Sequence, residues 1–249
     1  MKIYIMSSGR AAKQTTFHNL PKEIQDRTTI VVPKEQETEY QRHKLPAVGA
    51  PVKRIADARQ WVVDQGGYVC MMDDDLVFAT RRTDDPTKFV PSTFADITHL
   101  FEVIEHNLDT FAHVGVGTRE GGNRKTELSF QVARMLRILA YDTDILKDFG
   151  IRFDVMELME DFHVTLALLQ NGYPNLVLNH MVHNQGGSNS TGGCSAWRTP
   201  QMQHDAAMKL KAMYPNYVNV VKKQSKVKGH WGDRTDVVIQ WKRAYNDIS

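Results

Sequence analysis

The sequence predicts an α/β fold built on a mostly parallel central sheet with flanking helices. Apolar and β-branched runs alternate with stretches of helical period through the first half of the chain, the signature of parallel strands joined by crossover helices. One such run, Tyr68-Val69-Cys70-Met71-Met72, follows Gly66-Gly67 and ends in three consecutive aspartates, Asp73-Asp74-Asp75. Another, Lys2 to Met6, ends in the polar turn Ser7-Ser8-Gly9-Arg10. Ligands of open α/β sheets bind outside the carboxyl ends of strands, so both turns stand where a ligand is expected.

Taken in order, Lys2–Met6 is the first strand, and its turn exposes backbone N–H groups of the kind that hold a nucleotide. Thr28 to Val32 is a β-branched strand ended by Pro33. Glu35 to Lys44 reads as a polar helix and Ala47 to Ala50 as a short strand. Pro51 to Gln65 predicts a helix with Ile55, Ala58, Val62 and Val63 inward, stopped by Gly66-Gly67. Arg54, Asp57 and Arg59 near its start are placed to reach a bound nucleotide or to solvate the helix face. Thr93 to Leu108 predicts an amphipathic helix with Phe94, Ile97, Leu100, Phe101 and Ile104 inward. Ala112 to Gly117 is a strand that runs into a basic, glycine-containing loop with Arg119, Arg124 and Lys125. Phe130 to Tyr141 is further strand material, and Asp144 to Phe149 a short helix.

Glu160-Asp161 stand at the head of a helix running to Gly172, where carboxylates meet a positive dipole end. Leu176 to Leu178 is a strand that leads to His180 and His183. Strand alternation puts these two on opposite faces, so they do not serve one metal together. The glycine- and serine-rich stretch from Gly186 to Thr199 reads as a lid, Gln201 to Met213 as a closing helix. The tail interleaves Lys222, Lys223, Lys226, Lys228, His230 and Arg234 with Trp231 and Trp241, a composition suited to a nucleic-acid backbone and its bases.

Three adjacent carboxylates after a buried strand cannot all be buried unpaired, since each would cost several kcal/mol. They must meet solvent, a substrate or a cation. Hard oxygen donors suit Mg²⁺ or Mn²⁺, which are commonly held by one or two carboxylates plus substrate phosphates. With Glu160-Asp161 as a second acidic cluster, one group would hold a metal and the other supply a general base.

The 249 residues, 41% hydrophobic and 24% charged, suit one large α/β domain or two small ones, and the formal charge of +2 leaves nucleic-acid binding to local distribution. Two cysteines form no disulfide framework and no metal-ligand spacing, which fits a reducing cytoplasm. No apolar run reaches the roughly 18 residues of a membrane span. The first residues read as a strand rather than a signal peptide.

The order of these motifs resembles a GT-A glycosyltransferase with its Rossmann-like fold. Asp73-Asp74-Asp75 is similar to that fold's Asp-X-Asp motif, Glu160-Asp161 to its acidic catalytic motif, and His183, in preference to His180, to its C-terminal metal histidine. The stretches Arg54 to Asp75, Glu157 to Gly172, and His183-Asn184-Gln185 with Gly192-Gly193-Cys194 more closely resemble the phage TET-associated glycosyltransferases. The resemblance implies transfer from a UDP-sugar, whose sugar is either a pentose such as arabinose or the hexose glucose, to the hydroxyl of 5-hydroxymethylcytosine in DNA, inside an infected host cell. It implies a single domain whose residues 1–118 bind the nucleotide sugar and 119–249 the acceptor. Ser7, Ser8, Gly9, Arg10, Arg54, Asp57, Arg59, Asp73 and Asp74 would contact the donor. Asp75, Asp73 and His183 would hold Mn²⁺ or Mg²⁺, and Asp161 with Glu160 would be catalytic. Arg119, Arg124, Lys125, Arg198, Lys222 and Lys223 would contact DNA. Two other classes meet the same residues: a metal-dependent nucleotidyltransferase or nuclease, which releases pyrophosphate or cuts DNA, and a non-catalytic DNA-binding module, which leaves the carboxylates without a task.

Overall fold

A computed structural model describes residues 1–185, 198–224 and 233–248. Residues 186–197 of the stretch read as a lid and the tail residues Lys226, Lys228, His230 and Trp231 lie outside the described residues. The strands are β1 (Lys2–Met6), β2 (Thr28–Pro33), β3 (Ala47–Ala50), β4 (Tyr68–Asp73), β5 (Leu76–Arg81), β6 (Phe89–Pro91), β7 (His113–Thr118), β8 (Ser129–Gln131), β9 (Ile138–Asp142) and β10 (Leu176–Gln185), with β11 (Val218–Gln224) and β12 (Asp233–Ile239) forming a separate hairpin. Among the described residues β1 to β10 form one sheet in the order β3-β2-β1-β4-β9-β7-β10-β5-β6, with β8 on β10. The first four strands are parallel, β9 is antiparallel between β4 and β7, and β7 and β10 resume the parallel direction. The α/β class with a mostly parallel sheet is therefore what the sequence predicts.

Side-chain alternation along β1 and β4 splits the core between the two faces of the sheet. Ile3, Ile5, Cys70 and Met72 join the cluster built with Phe17 of α1 (Thr15–Asn19), Ile24 of α2 (Lys22–Gln25), Tyr40 of α3 (Glu37–Arg42) and Leu100, Phe101 and Ile104 of α5 (Phe94–Asn107). Tyr4, Met6, Val69 and Met71 join the other cluster, with Val62 and Val63 of α4 (Ile55–Asp64), Leu146 of α6 (Thr143–Asp148) and Val164 and Leu168 of α7 (Glu160–Gln170). Asp73 continues the parity of Val69 and Met71, so it emerges on the face that carries α4 and α7. A third, smaller cluster joins α7 to the C-terminal elements through Leu166, Ala207 and Leu210 of α8 (Pro200–Met213), Val218, Val237 and Ala244 of α9 (Trp241–Asn246).

Several boundaries differ from the sequence expectation for local physical reasons. The helix expected from Pro51 begins at Ile55, because the Asp57 carboxylate accepts the N–H groups of Lys53 and Arg54 and caps it there. It ends at Gly66-Gly67, whose φ angles of 74° and 77° suit glycine. Phe94, expected inward, is 62% exposed at the first turn of α5. Phe130 to Tyr141 is not continuous strand: the connection between β8 and β9 carries Val132 and Arg137 at φ 53° and 64°. The basic tail folds into the β11–β12 hairpin, with Lys222 opposite Thr235 and Lys223 opposite Arg234.

Gly117 shows how tightly β7 fits β10. A Cβ there would lie 2.7 Å from the Asn179 side-chain oxygen. Asn179 cannot give easily, because its amide donates to the carbonyls of Glu127 (2.8 Å) and Lys125 (3.3 Å) and it is buried. Gly117→Ala should lower stability by about 1–3 kcal/mol, as overpacking does. Urea denaturation reads this directly, and an unchanged midpoint would mean that Asn179 can move aside.

Candidate active site

The acidic turn is built by contacts that the sequence does not announce. Thr16, in α1, donates its backbone N–H to the Asp74 carbonyl (3.0 Å) and its hydroxyl to the Asp73 carbonyl (2.6 Å), and accepts the N–H of Leu76 (2.8 Å). Asp73 N–H in turn donates to the carbonyl of Arg137 (3.1 Å). Asp74 points inward: it is buried, accepts a hydrogen bond from Ser7 and pairs with Arg10 at 2.7 Å. Ser7 lies 2.8 Å from the Tyr40 hydroxyl, which also accepts the Arg10 N–H, and it accepts from Gln14. Burial pushes the Asp74 carboxyl up, against the pull of Ser7 and Arg10. Asp75 accepts from Arg10 and from Gln185, each at 3.2 Å, while its second oxygen is buried without a partner.

Arg59 ties this turn to the second acidic pair. Its guanidinium donates to Glu160 at 2.6 Å and to Asp73 at 3.4 Å, and the side chain is buried. Burial pulls its proton affinity down, but Glu160 and Asp73 outweigh that and raise it, so it stays charged. The Glu160 carboxyl is pushed up by burial and held down by Arg59. Burial raises the half-buried Asp73 to about 6, opposed by Arg59 and reinforced by Asp75. The preceding residue, Met159, caps α7 at φ 62°, a left-handed conformation that costs of order 1–3 kcal/mol in a non-glycine residue. It turns the first residues of α7 toward the acidic turn.

These groups line one cavity of about 530 Å³ at the carboxyl ends of β1, β2 and β4. Of the residues expected at the donor, Ser7, Ser8, Arg10, Arg54, Arg59, Asp73 and Asp74 line it, whereas Gly9 and Asp57 do not. Gly9 donates its N–H to Gln36, and Asp57 is committed to the helix cap and to Arg54. Glu160 and Asp161 are divided by their surroundings. Glu160 is clamped by Arg59, while among the described residues no basic side chain pairs with Asp161, which faces the cavity.

His183 is fully buried on β10 and does not line the cavity. Burial and Arg137 push its imidazole down to about 3, against weak backbone contacts with Leu136 and Val116, so it is neutral. His180 instead neighbours His99, with ring centroids 6.2 Å apart. Arg119, Arg124 and Lys125 lie exposed on the β7–β8 connection, Lys125 over the Phe130 ring at 4.2 Å. Lys222 is exposed on β11, and Lys223 pairs with Asp236 at 2.8 Å. Arg198, expected on the DNA surface, lines the cavity and donates to Gln203, because α8 brings it there.

Sequence reasoning missed Arg134 and Arg137, which also line the cavity. Their only signal was basic spacing within a stretch read as strand. Arg234 and Asp236 of the hairpin join the same wall. With Arg10, Lys53, Arg54, Arg59 and Arg198 these arginines outnumber the six carboxylates of the lining by two, a mixed site with a small positive excess that can meet a phosphate-bearing ligand.

Among the described residues no three His, Cys, Asp or Glu side chains are gathered as a metal cage. The unpartnered Asp75 oxygen and the carboxylate of Asp73 fit the more open arrangement, in which a hard cation shares two carboxylates with substrate phosphates.

Comparison with known proteins bears on this geometry. The profile of the family described as TET-Associated Glycosyltransferase matches residues 1–193. A Beta-glucosyl-HMC-alpha-glucosyl-transferase of Enterobacteria phage T6 is 25% identical over 207 residues, covering 75% of this chain and 72% of that protein. The phage T2 protein of the same name is similar to the same extent. Among solved structures, CMP:2-keto-3-deoxy-manno-octonic acid synthetase complexed with CTP covers 85% of this chain and 98% of its own, at 10% identity and a TM-score of 0.40.

Removing one partner of a buried ion pair strands the other, typically at 3–5 kcal/mol. Arg59→Met should therefore destabilise by about that amount. Arg59→Met with Glu160→Met should recover part of the loss, since both charges are gone. Chemical denaturation of the two variants checks the coupling; equal losses would mean that Arg59 and Glu160 do not depend on each other.

Proposed function

Because the chain belongs to the TET-associated glycosyltransferase family, it is a glycosyltransferase, and we propose that it moves a sugar from a UDP-sugar to the hydroxyl of 5-hydroxymethylcytosine in phage DNA. The reading is carried by one observation: a cavity with a small positive excess, able to meet a diphosphate, holds a single carboxylate, Asp161, that no described basic side chain claims. Its relatives in phages T6 and T2 are named for transfer to hydroxymethylcytosine, which supports the acceptor class.

In this reading Ser7, Ser8 and Arg10 receive the nucleotide at the end of β1, and Arg54 and Arg137 approach the diphosphate. Asp73 and Asp75 would hold Mn²⁺ or Mg²⁺; His183, which does not line the cavity, is left out of that set. Such a cation neutralises charge that develops on a departing diphosphate. Arg59 keeps Asp73 and the start of α7 in register. In an inverting transfer the acceptor oxygen bonds to the anomeric carbon, the bond from that carbon to the β-phosphate oxygen breaks, and UDP leaves. The acceptor proton goes to Asp161. Exposed Arg119, Arg124, Lys125 and Lys222 are available to DNA phosphates, for which affinity should fall steeply with salt. A second reading follows from the same relatives: their name specifies an acceptor that already carries a β-glucosyl group.

Nucleoside mass spectrometry tests both readings. Hydroxymethylcytosine DNA and its glucosylated form are each incubated with the protein, Mn²⁺ and a panel of UDP-sugars. A gain of one hexose or pentose on the first substrate supports the first reading, and a gain confined to the second supports the other. Chelation by EDTA should abolish the gain and Mn²⁺ restore it. UDP release without any gain would move the acceptor elsewhere, and cut DNA would indicate a nuclease.

Asp161→Asn tests the proton acceptor. Loss of a general base costs about 10²–10⁴-fold in turnover. Near-normal turnover in this variant, with the thermal midpoint unchanged, would remove Asp161 from that role.

A further inference from the structure

The cavity that Asp161 lines also carries Arg134 and Phe162, and Trp241 stacks on Phe162 from outside that lining. The Arg134 guanidinium carbon lies 4.3 Å from the centroid of the Phe162 ring, and the Trp241 indole is nearly parallel to that ring, 14° apart with centroids at 5.8 Å. Phe162 directly follows Asp161 in the first turn of α7. Arg134 is exposed, lines the cavity, and among the described residues forms no ion pair. Strand order separates it from the nucleotide turn: Ser7 to Arg10 follow β1 on one side of β4, and Arg134 precedes β9 on the other.

We propose that the Arg134–Phe162–Trp241 stack is the platform for the acceptor base, and that the hydroxymethylated pyrimidine leaves the duplex to lie on Arg134. A guanidinium stacked on an aromatic ring offers a flat cationic face, the surface on which nucleobases stack. A base inside an intact duplex shows the grooves only its edges, so a platform that takes the face requires an extruded nucleotide. With the ring on Arg134, its substituent enters the cavity that Asp161 also lines. Arg198 and Arg234 on the same wall are cations for the phosphates flanking the extruded nucleotide. Trp241, Arg198 and Arg234 all fall after residue 193, where the family match ends, so the C-terminal elements complete the acceptor side of the site.

The proposal rests on the reading of the protein as a DNA-directed glycosyltransferase, and its test keeps the two apart. Transfer to duplex DNA with 2-aminopurine beside the hydroxymethylcytosine is compared for the unaltered protein, Arg134→Ala and Arg134→Lys. Base–aromatic and base–guanidinium stacking predicts a rise in acceptor KM of about 5- to 100-fold in both variants, since lysine keeps the charge but not the plane. Donor KM should stay within about twofold. The unaltered protein should raise 2-aminopurine fluorescence on binding, and the variants should not. Wild-type acceptor KM in Arg134→Lys, or fluorescence that stays quenched with the unaltered protein, would overturn the platform while leaving transfer intact. A raised donor KM instead would assign the stack to the donor nucleobase and likewise overturn it. Donor cleavage by the unaltered protein with no mass gained on DNA would overturn the underlying reading and the platform with it.

Discussion

The site depends on one buried cation. Arg59 reaches Glu160 at 2.6 Å and Asp73 at 3.4 Å from within α4, so one guanidinium joins the carboxyl end of β4 to the head of α7. Two acidic clusters meet at the carboxyl end of β4, and burial there favours their neutral forms. Without a charge between them, Asp73, Glu160 and Asp161 would repel and the head of α7 would move away. Two different nitrogens of the planar guanidinium serve the two carboxylates, an arrangement that the rigid fork of arginine holds without further ordering.

This constraint divides the carboxylates by task. Asp74 turns inward to Ser7 and Arg10 and becomes part of the turn that it shapes. Glu160 is spent on Arg59. Asp161, Asp73 and the unpartnered oxygen of Asp75 remain for a ligand. Neighbouring aspartates thus differ in role because strand parity and the clamp by Thr16 send them in different directions, not because their chemistry differs.

The C-terminal elements are more than a tail. Leu210, Val218, Val237 and Ala244 form a small core with Leu166 of α7, and this core fixes the hairpin against the helix that carries Asp161. Residues that composition alone would assign to a solvated basic surface, Arg198 and Arg234, are thereby delivered to the cavity. The same helix therefore serves two cores: one sets its height above the sheet, and the other fixes what stands opposite its first turn.

Much of this was legible in the chain. Apolar and β-branched runs with their polar, proline and glycine stops identified β1 to β4, and a run of aspartates after an apolar strand marked the mouth of the cavity, because burial of unpaired charge is too costly to allow another place for them. The head of α7 was legible for the same reason. The division of labour within those motifs was not. That Arg59 and Asp57 are spent on structure, that the stretch after Phe130 leaves the sheet at Arg134 and Arg137, and that His183 is buried away from the cavity all depend on partners distant in sequence. Local pattern determined which elements exist and where charge must surface; only the tertiary fold decided which charges neutralise one another and which are left for a substrate, since that is a matter of distance between side chains the sequence does not bring together.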